Sequence, residues 1–175
     1  MSLHKISQEH FNRVCDLYFI WKMLNSGIKE NYTRGVNLPE AITEPICCYV
    51  NEFLLSLGEG SEDAVDPKNN NEIQIKATSN WNRDLTSFGP KSQFTELHFV
   101  RLNQSEDKMY LYNIPIINLK NVMVNANETF EQQQNNNRRP RFSIIDKYIK
   151  PFDIHPYAVV DLTKKVIKKL ELAII

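Results

Sequence analysis

The chain has 175 residues, which is enough for one ordinary globular domain and too few for two comfortable ones. Lysine and arginine total 21, as do aspartate and glutamate, and this balance excludes a polycation that binds nucleic acid through bulk charge alone. No stretch reaches the roughly 18 apolar residues of a membrane span, and neither common glycine-rich phosphate-binding motif occurs. An odd number of cysteines with an adjacent pair (Cys15, Cys47 and Cys48) is a poor disulfide framework, so we expect buried free thiols and a cytoplasmic protein.

The first third of the chain is predicted to form two helices. Apolar residues recur with the 3.6-residue period of a helix over residues 10–24, and Gly27 is expected to end that helix. A second helix is predicted over residues 38–57, because proline and acid at its start favour a first helical turn. Pro45 predicts a kink, or a start nearer residue 44. Residues 1–60 are therefore expected to form a helical flank.

The middle of the chain changes to the two-residue period of β-strands. Residues 64–65 and 72–77 are predicted to form a hairpin around a polar turn, with Asp63 opposite residue 75 and Asp66 opposite Glu72. Residues 79–93 are polar and predict a loop. Two further strands are predicted over residues 94–102 and 109–114, so residues 61–115 should form the central sheet.

The last third shows weaker patterns. Residues 126–142 include runs of glutamine, asparagine and arginine with few apolar side chains, which predicts a mobile loop. Short elements are predicted over residues 143–149 and 163–170, and the second of these is expected to be a basic helix.

The predicted hairpin brings chemically useful side chains together. Glu72, Gln74 and Lys76 alternate onto one face of their strand, and Asp63 on the partner strand should lie close to the last two. Grouped oxygen ligands suit a hard cation such as Mg²⁺, and a neighbouring lysine can orient water and stabilise phosphate charge. These are the parts of metal-assisted phosphodiester hydrolysis. The alternative is an exposed hairpin face with solvated charges.

The same residues resemble the PD-(D/E)xK nuclease motif, which Asp63 and Gln74-Ile75-Lys76 match. The following Ala77-Thr78-Ser79 is similar to the tail of this motif in restriction enzymes. Residues 34–44 upstream and 87–100 downstream resemble the Bsp6I-type family of small type II restriction endonucleases. The resemblance covers roughly residues 34–115.

This resemblance implies a role for each residue of the motif. Asp63 would bind Mg²⁺ directly, Gln74 through its side-chain oxygen and Ile75 through its carbonyl, while Lys76 would position or activate the attacking water. Gln74 departs from the family pattern, because an acid usually stands there and an amide contributes no charge. The resemblance suggests Glu44, on the upstream helix, as the additional acid, although Glu44 could equally serve as an N-terminal helix charge.

Two polar segments are candidates for contact with DNA. The loop after the motif strand carries side chains that can address base edges or phosphates. The basic segment near residue 140 offers phosphate contacts. A solvated loop is the alternative for both. The predicted contact residues are Asn80, Arg83, Asp84, Ser87, Lys91, Arg138, Arg139 and Arg141.

The sequence thus predicts a single α/β nuclease domain over residues 1–175, with a restriction-endonuclease-like core in which helices flank a small mixed central β-sheet. The resemblance implies an Mg²⁺-dependent type II endonuclease that cleaves double-stranded DNA at a short palindromic site. A palindromic target implies a homodimer, and a cognate DNA methyltransferase is the usual partner of this class. Two alternatives are a repair or junction nuclease of the same fold, and a DNA-binding protein in which Gln74 marks a lost catalytic site.

Overall fold

A mixed β-sheet forms the centre of the molecule in the computed structural model, which describes residues 2–58 and 62–170. Eight strands of the described residues form this sheet, and two more form a separate short ribbon. The sheet contains, in spatial order, β1 (Ser2–Lys5), β2 (Leu54–Leu57), β3 (Ala64–Val65), β4 (Glu72–Thr78), β6 (Glu96–Asn103), β7 (Lys108–Ile114), β9 (Ala158–Asp161) and β10 (Val166–Lys169). The ribbon pairs β5 (Thr86–Ser87) with β8 (Arg141–Phe142). Only β4 and β6 pair in parallel; the other neighbouring strands of the described sheet are antiparallel.

Helices flank the sheet, as predicted. They are α1 (Gln8–Lys29), α2 (Glu40–Asn51) and α3 (Phe130–Asn135), with a 3₁₀ turn at Leu119–Asn121 and a π-helical turn at Ile145–Ile149. The Ser7 side chain caps α1 by accepting a hydrogen bond from the backbone N–H of His10. The helix continues through Gly27, which was predicted to end it. None of the helices that the structure describes is long and apolar enough to cross a membrane.

Helix α2 ends earlier than predicted, and a strand follows it. The helix begins at Glu40 with Pro45 inside it, and it stops because Glu52 adopts a left-handed backbone with φ of 64°. The next residues form β2, which lies between β1 and β3. The prediction of a helix to residue 57 is therefore wrong, and residues 1–60 contribute two strands to the sheet besides two helices.

Each face of the sheet carries its own hydrophobic core. The apolar sides of α1 and α2 cover one face, where they pack with Ile75 and Val100. Aromatic side chains from the second half of the chain cover the other face, around Leu97. Side chains alternate along β4, so Gln74 and Lys76 project from this second face.

Two predictions for the last third need correction. The segment predicted to be a loop at residues 126–142 contains α3 and β8, because Phe130 and Phe142 are buried and the Thr129 and Gln132 side chains form a capping box. The predicted basic helix at 163–170 is the second strand of the β9–β10 hairpin, whose turn contains Lys165 at a φ of 56°. The short element predicted at 143–149 is confirmed as the π-helical turn.

The hairpin register differs from the prediction by one residue. Ala64 pairs with Ile73, and the Asp63 N–H donates a hydrogen bond to the Ile73 carbonyl at 2.9 Å. Asp63 therefore lies opposite Gln74 rather than residue 75. Opposite residues of an antiparallel pair project from the same face, which brings these two side chains into direct contact.

Candidate active site

The site lies where β3 separates from β4. The backbone pairing of the two strands ends near Asp63, and the Asp63 side chain then takes the place of a strand partner. Its Oδ2 accepts a hydrogen bond from the Ile75 N–H at 2.7 Å and a short one from the side-chain amide of Gln74. These contacts fix the carboxylate beside the motif strand.

The Ile75 carbonyl faces the same opening. The N–H and C=O groups of one strand residue point to the same edge of the strand, and the N–H of Ile75 points to Asp63. Strand β3 does not extend far enough to pair with Ile75. Its carbonyl oxygen is therefore directed to the side of β4 on which the Asp63 carboxylate lies.

Lys76 is the positive charge of the site. Its Nζ lies 4.0 Å from Asp63 Oδ2, and both side chains are about one-fifth exposed, at 18% and 20%. At this distance the ammonium attracts the carboxylate without a hydrogen bond to it. Lys76 is thus held near Asp63 while it remains open to the cleft.

Acidic side chains on α2 act on the same region. The pKa of Glu44 is raised to about 8, chiefly by burial and then by the negative charges of Asp63 and Glu40, against the lowering effect of Lys76. Burial also raises the pKa of Asp63, against the lowering effects of Lys76, the Ile75 N–H and the Gln74 amide. The site therefore holds more acidic groups than its one lysine can balance in ionised form.

This donor set fits a hard divalent cation. In the described part of the chain, no group of three or more histidine, cysteine or acidic side chains is arranged to hold a metal ion by itself. Mg²⁺ does not need such a cage, because it commonly keeps several waters and takes one or two carboxylates. Oxygen donors are supplied by the Asp63 carboxylate, the Gln74 amide and the Ile75 carbonyl. A bound cation would lower the free-energy cost of ionising the two buried acids, Asp63 and Glu44.

A cleft of about 400 Å³ opens beside Lys76. Its walls are the start of α2, the end of β4 and strand β5, and Glu40, Thr43 and Asn37 contribute to them. None of these three residues was predicted to belong to the site. For Glu40 a signal was present, since it lies four residues before Glu44 and thus on the same helix face.

Two comparisons with known proteins identify the family of this chain. The profile of the Bsp6I restriction endonuclease family matches residues 6–151. The chain is 47% identical to the type II restriction enzyme Bsp6I of Bacillus sp. (strain RFL6), over 96% of this chain and 99% of that one. This chain belongs to the Bsp6I restriction endonuclease family. The family resemblance predicted from the sequence is confirmed.

The loop after β4, which we predict to contact DNA in this family member, is held to the sheet by Arg101. The Arg101 guanidinium lies 4.1 Å from the centre of the Trp81 ring and donates a short hydrogen bond to the Trp81 carbonyl. It also donates to the Tyr112 hydroxyl at 3.2 Å. Asn80 and Arg83, on either side of Trp81, are exposed. Arg101 thereby fixes the backbone from which they project, a role that its place in an apolar strand did not indicate.

Asp84 has a structural role beside its predicted DNA contact. Its carboxylate accepts hydrogen bonds from the N–H groups of Ile144 and Ile145 at 2.9 and 3.1 Å, and from the Ser143 hydroxyl at 2.7 Å. The Thr86 hydroxyl donates to it as well, at 2.6 Å. Asp84 thus ties the loop after β4 to the start of the π-helical turn.

The structure brings the two groups of predicted DNA contacts together. Ser87, in the wall of the cleft, pairs with Arg141 across the β5–β8 ribbon. Arg139 and Lys91 are exposed on the flanking segments, while Arg138 forms an ion pair with Glu128. Arg141 and Arg139 therefore lie on the same side of the cleft as the loop after β4.

Proposed function

We propose that this protein is a type II restriction endonuclease that hydrolyses phosphodiester bonds of double-stranded DNA at a short palindromic site, with Mg²⁺ held by Asp63, Gln74 and Ile75. Membership of the family carries the restriction activity. The contact of Asp63 with Gln74 and Ile75, beside Lys76, supports the assignment of the PD-(D/E)xK site. A cytoplasmic location follows from DNA as the substrate.

Asp63 and Gln74 would hold the cation. When bound, it supplies Lewis-acid stabilisation of the phosphate and lowers the pKa of a water ligand. Gln74 now donates its amide N–H to Asp63. A half-turn of the amide exchanges nitrogen for oxygen at almost the same shape, so Gln74 can present Oε1 as a ligand without repacking its buried side chain.

Lys76 would act on the reacting groups. Its ammonium lies outside hydrogen-bonding distance of Asp63 and lines the cleft, so its N–H groups can donate to the attacking water and to a phosphate oxygen. The resulting products would carry 5′-phosphate and 3′-hydroxyl ends, as the family resemblance implies.

Glu44 would add charge when the cation binds. Its pKa of about 8 keeps it largely protonated at neutral pH in the unloaded protein. A cation nearby favours the carboxylate, so Glu44 would release its proton and complete the ligand shell directly or through water. This acid from α2 would supply the charge that Gln74 lacks.

DNA would lie across the cleft and the basic surface beside it. Asn80 and Arg83 on the loop after β4 would address a groove, and Arg139, Arg141 and Lys91 would contact phosphates. Ser87 lines the cleft, but its hydroxyl is buried without a hydrogen-bond partner among the described residues, so a contact between this hydroxyl and DNA would require the side chain to rotate. A palindromic site would be cut by two copies of the chain. A cognate methyltransferase would protect the same site in the DNA of the host.

Cleavage of unmethylated plasmid DNA tests this proposal. We expect discrete fragments with Mg²⁺, none with EDTA, and at least about a hundredfold lower rate for Lys76→Ala, since positioned acid–base groups contribute about 10²–10⁴. Lys68→Ala is the matched control, because Lys68 is an exposed lysine in the hairpin turn that pairs with Glu52 at the end of α2. Fragments that persist with Lys76→Ala would refute the catalytic assignment, and specific binding without cleavage in any divalent metal would favour a DNA-binding protein with a lost site.

A further inference from the structure

The solvent face of α1 carries an apolar stripe that the monomer does not bury. Leu17, Ile20, Met23 and Leu24 are 41%, 57%, 72% and 52% exposed. Leu17, Ile20, Leu24 and Gly27 follow the three- and four-residue spacing of a helix–helix seam. Beside Gly27 no atom lies within 4 Å of the position that a Cβ would occupy, so the end of the seam is open to a close neighbour. We call these five residues the α1 seam.

The opposite face of α1 is connected to the catalytic cleft. The Trp21 indole donates hydrogen bonds to the Val36 and Asn37 carbonyls at 3.2 and 3.0 Å. The Asn25 side chain accepts from the Val36 N–H at 3.0 Å. Asn37 lines the cleft beside Lys76. A partner that docks on the α1 seam therefore lies one helix diameter from the lip of the active site.

We infer that the α1 seam is the surface through which two copies of this chain pair, with their α1 helices antiparallel about a two-fold axis. The inference rests on the proposed function, because a palindromic site needs two clefts in a symmetric arrangement. An isologous pairing requires a self-complementary surface, and the seam meets this requirement. With the axis between Ile20 and Leu24, Ile20 faces the partner's Leu24 and Leu17 faces the partner's Gly27.

Charge at the two ends of the seam matches the antiparallel arrangement. Arg13 lies one turn before Leu17 on the same exposed side, and Glu30 lies at the opposite end of the helix. In the register above, Arg13 falls level with residue 31 of the partner and within about 1.5 Å along the axis of the level of the partner's Glu30. Symmetry repeats this pair beyond the other end of the seam, about 25 Å away along the helix axis.

A second exposed apolar area lies around Ile117 and Phe152, which are 90% and 67% exposed. It borders a separate groove lined by Tyr148 and Met123. No residue of that groove lines the catalytic cleft, and it carries no pair of opposite charges that a two-fold axis would match. This area therefore serves as the control surface.

Sedimentation velocity of the full chain, with cleavage measured in parallel, tests the seam. We expect the wild type to sediment at twice its chain mass of 20.5 kDa. Ile20→Glu should raise the dimer dissociation constant at least about a hundredfold, because two buried charges would face apolar side chains. Ile117→Glu should leave both mass and cleavage unchanged, and circular dichroism should report a folded chain for each variant.

A charge exchange tests the orientation without altering the apolar seam. Arg13→Glu and Glu30→Arg should each weaken the dimer, and the double variant should restore it. A monomeric wild type, an Ile20→Glu variant that stays dimeric, or dissociation caused by Ile117→Glu would each overturn the seam. Lys76→Ala separates the two proposals, since it should remain a dimer while it loses cleavage; a dimer through the seam without any cleavage would count against the proposed function alone.

Discussion

Substitution of Glu44 by glutamine should make the metal-free protein less sensitive to alkaline pH. The pKa of Glu44 is raised from 4.5 to about 8, chiefly by burial and then by Asp63 and Glu40. A carboxyl whose pKa is higher in the folded state than in the unfolded state favours folding while it is protonated. That contribution is complete below about pH 4.5 and is lost as the pH rises through about 8. Glu44→Gln cannot ionise, so it avoids the loss.

The structure sets an upper bound on this effect. At roughly 1.4 kcal/mol per pKa unit, complete ionisation of Glu44 would cost the folded state at most about 5 kcal/mol. Glu44 is only partly buried, and water entry and side-chain movement reduce that cost. We therefore expect Glu44→Gln to gain about 1–2 kcal/mol over the wild type between pH 6 and pH 9.

Urea unfolding in EDTA at pH 6 and pH 9 measures this difference. Glu52→Gln is the matched control, because Glu52 is exposed and pairs only with an exposed lysine in the described contacts. With Mg²⁺ the wild type should instead be the more stable of the two proteins, since the variant lacks one ligand charge. For the same reason the variant should cleave DNA more slowly. If the unfolding stability of the wild type and of Glu44→Gln depended equally on pH in EDTA, Glu44 would not be a buried acid with a raised pKa.

Three further substitutions test other parts of the site. Gln74→Glu replaces the amide that donates to Asp63 by a second carboxylate, so it should cost about 1–2 kcal/mol of stability in EDTA and tighten Mg²⁺ binding by calorimetry; unchanged Mg²⁺ affinity would contradict a ligand role. Arg101→Met removes the guanidinium beneath Trp81, so KM for DNA should rise about tenfold while kcat stays within about threefold. Arg101→Lys should not restore the wild-type KM, because an ammonium cannot stack on the ring as a guanidinium does. An effect on kcat alone would contradict a positioning role. Asp84→Asn leaves fewer acceptors for two backbone N–H groups and should lower unfolding stability by about 1–3 kcal/mol; a loss of DNA affinity without a loss of stability would instead assign Asp84 to DNA contact.

The strands of the central sheet were predictable where one local pattern decides them. Strands β6 and β7 begin and end within two residues of their predicted bounds, because long alternating or apolar runs admit few other structures. Strand β2 was missed because its apolar spacing continues that of α2. The helix ends at the left-handed backbone of Glu52. The surrounding structure selects this conformation, and a glutamate in the sequence does not predict it. Strand β10 was missed because it depends on its pairing with β9.

The motif residues were predictable for the same reason, and the rest of the site was not. Asp63, Gln74 and Lys76 are brought together by one hairpin, so local spacing sufficed even with a register error of one residue. The coupling of Asp63 to Glu40 and the support of Trp81 by Arg101 join residues about 20 apart in the chain through tertiary contacts. No periodic pattern links such pairs.

The amide at position 74 is consistent with the charge of the rest of the cleft. Asp63 and Glu40 already raise the pKa of Glu44, and Glu40 raises that of Asp63, while Lys76 lowers both. A further carboxylate at position 74 would lie in direct contact with Asp63 and raise the cost of ionising both. Gln74 avoids this cost because its amide donates to Asp63. In the proposed mechanism the same amide would offer an oxygen to the cation and Glu44 on α2 would supply the charge that β4 lacks, so the departure from the motif is compatible with an active site.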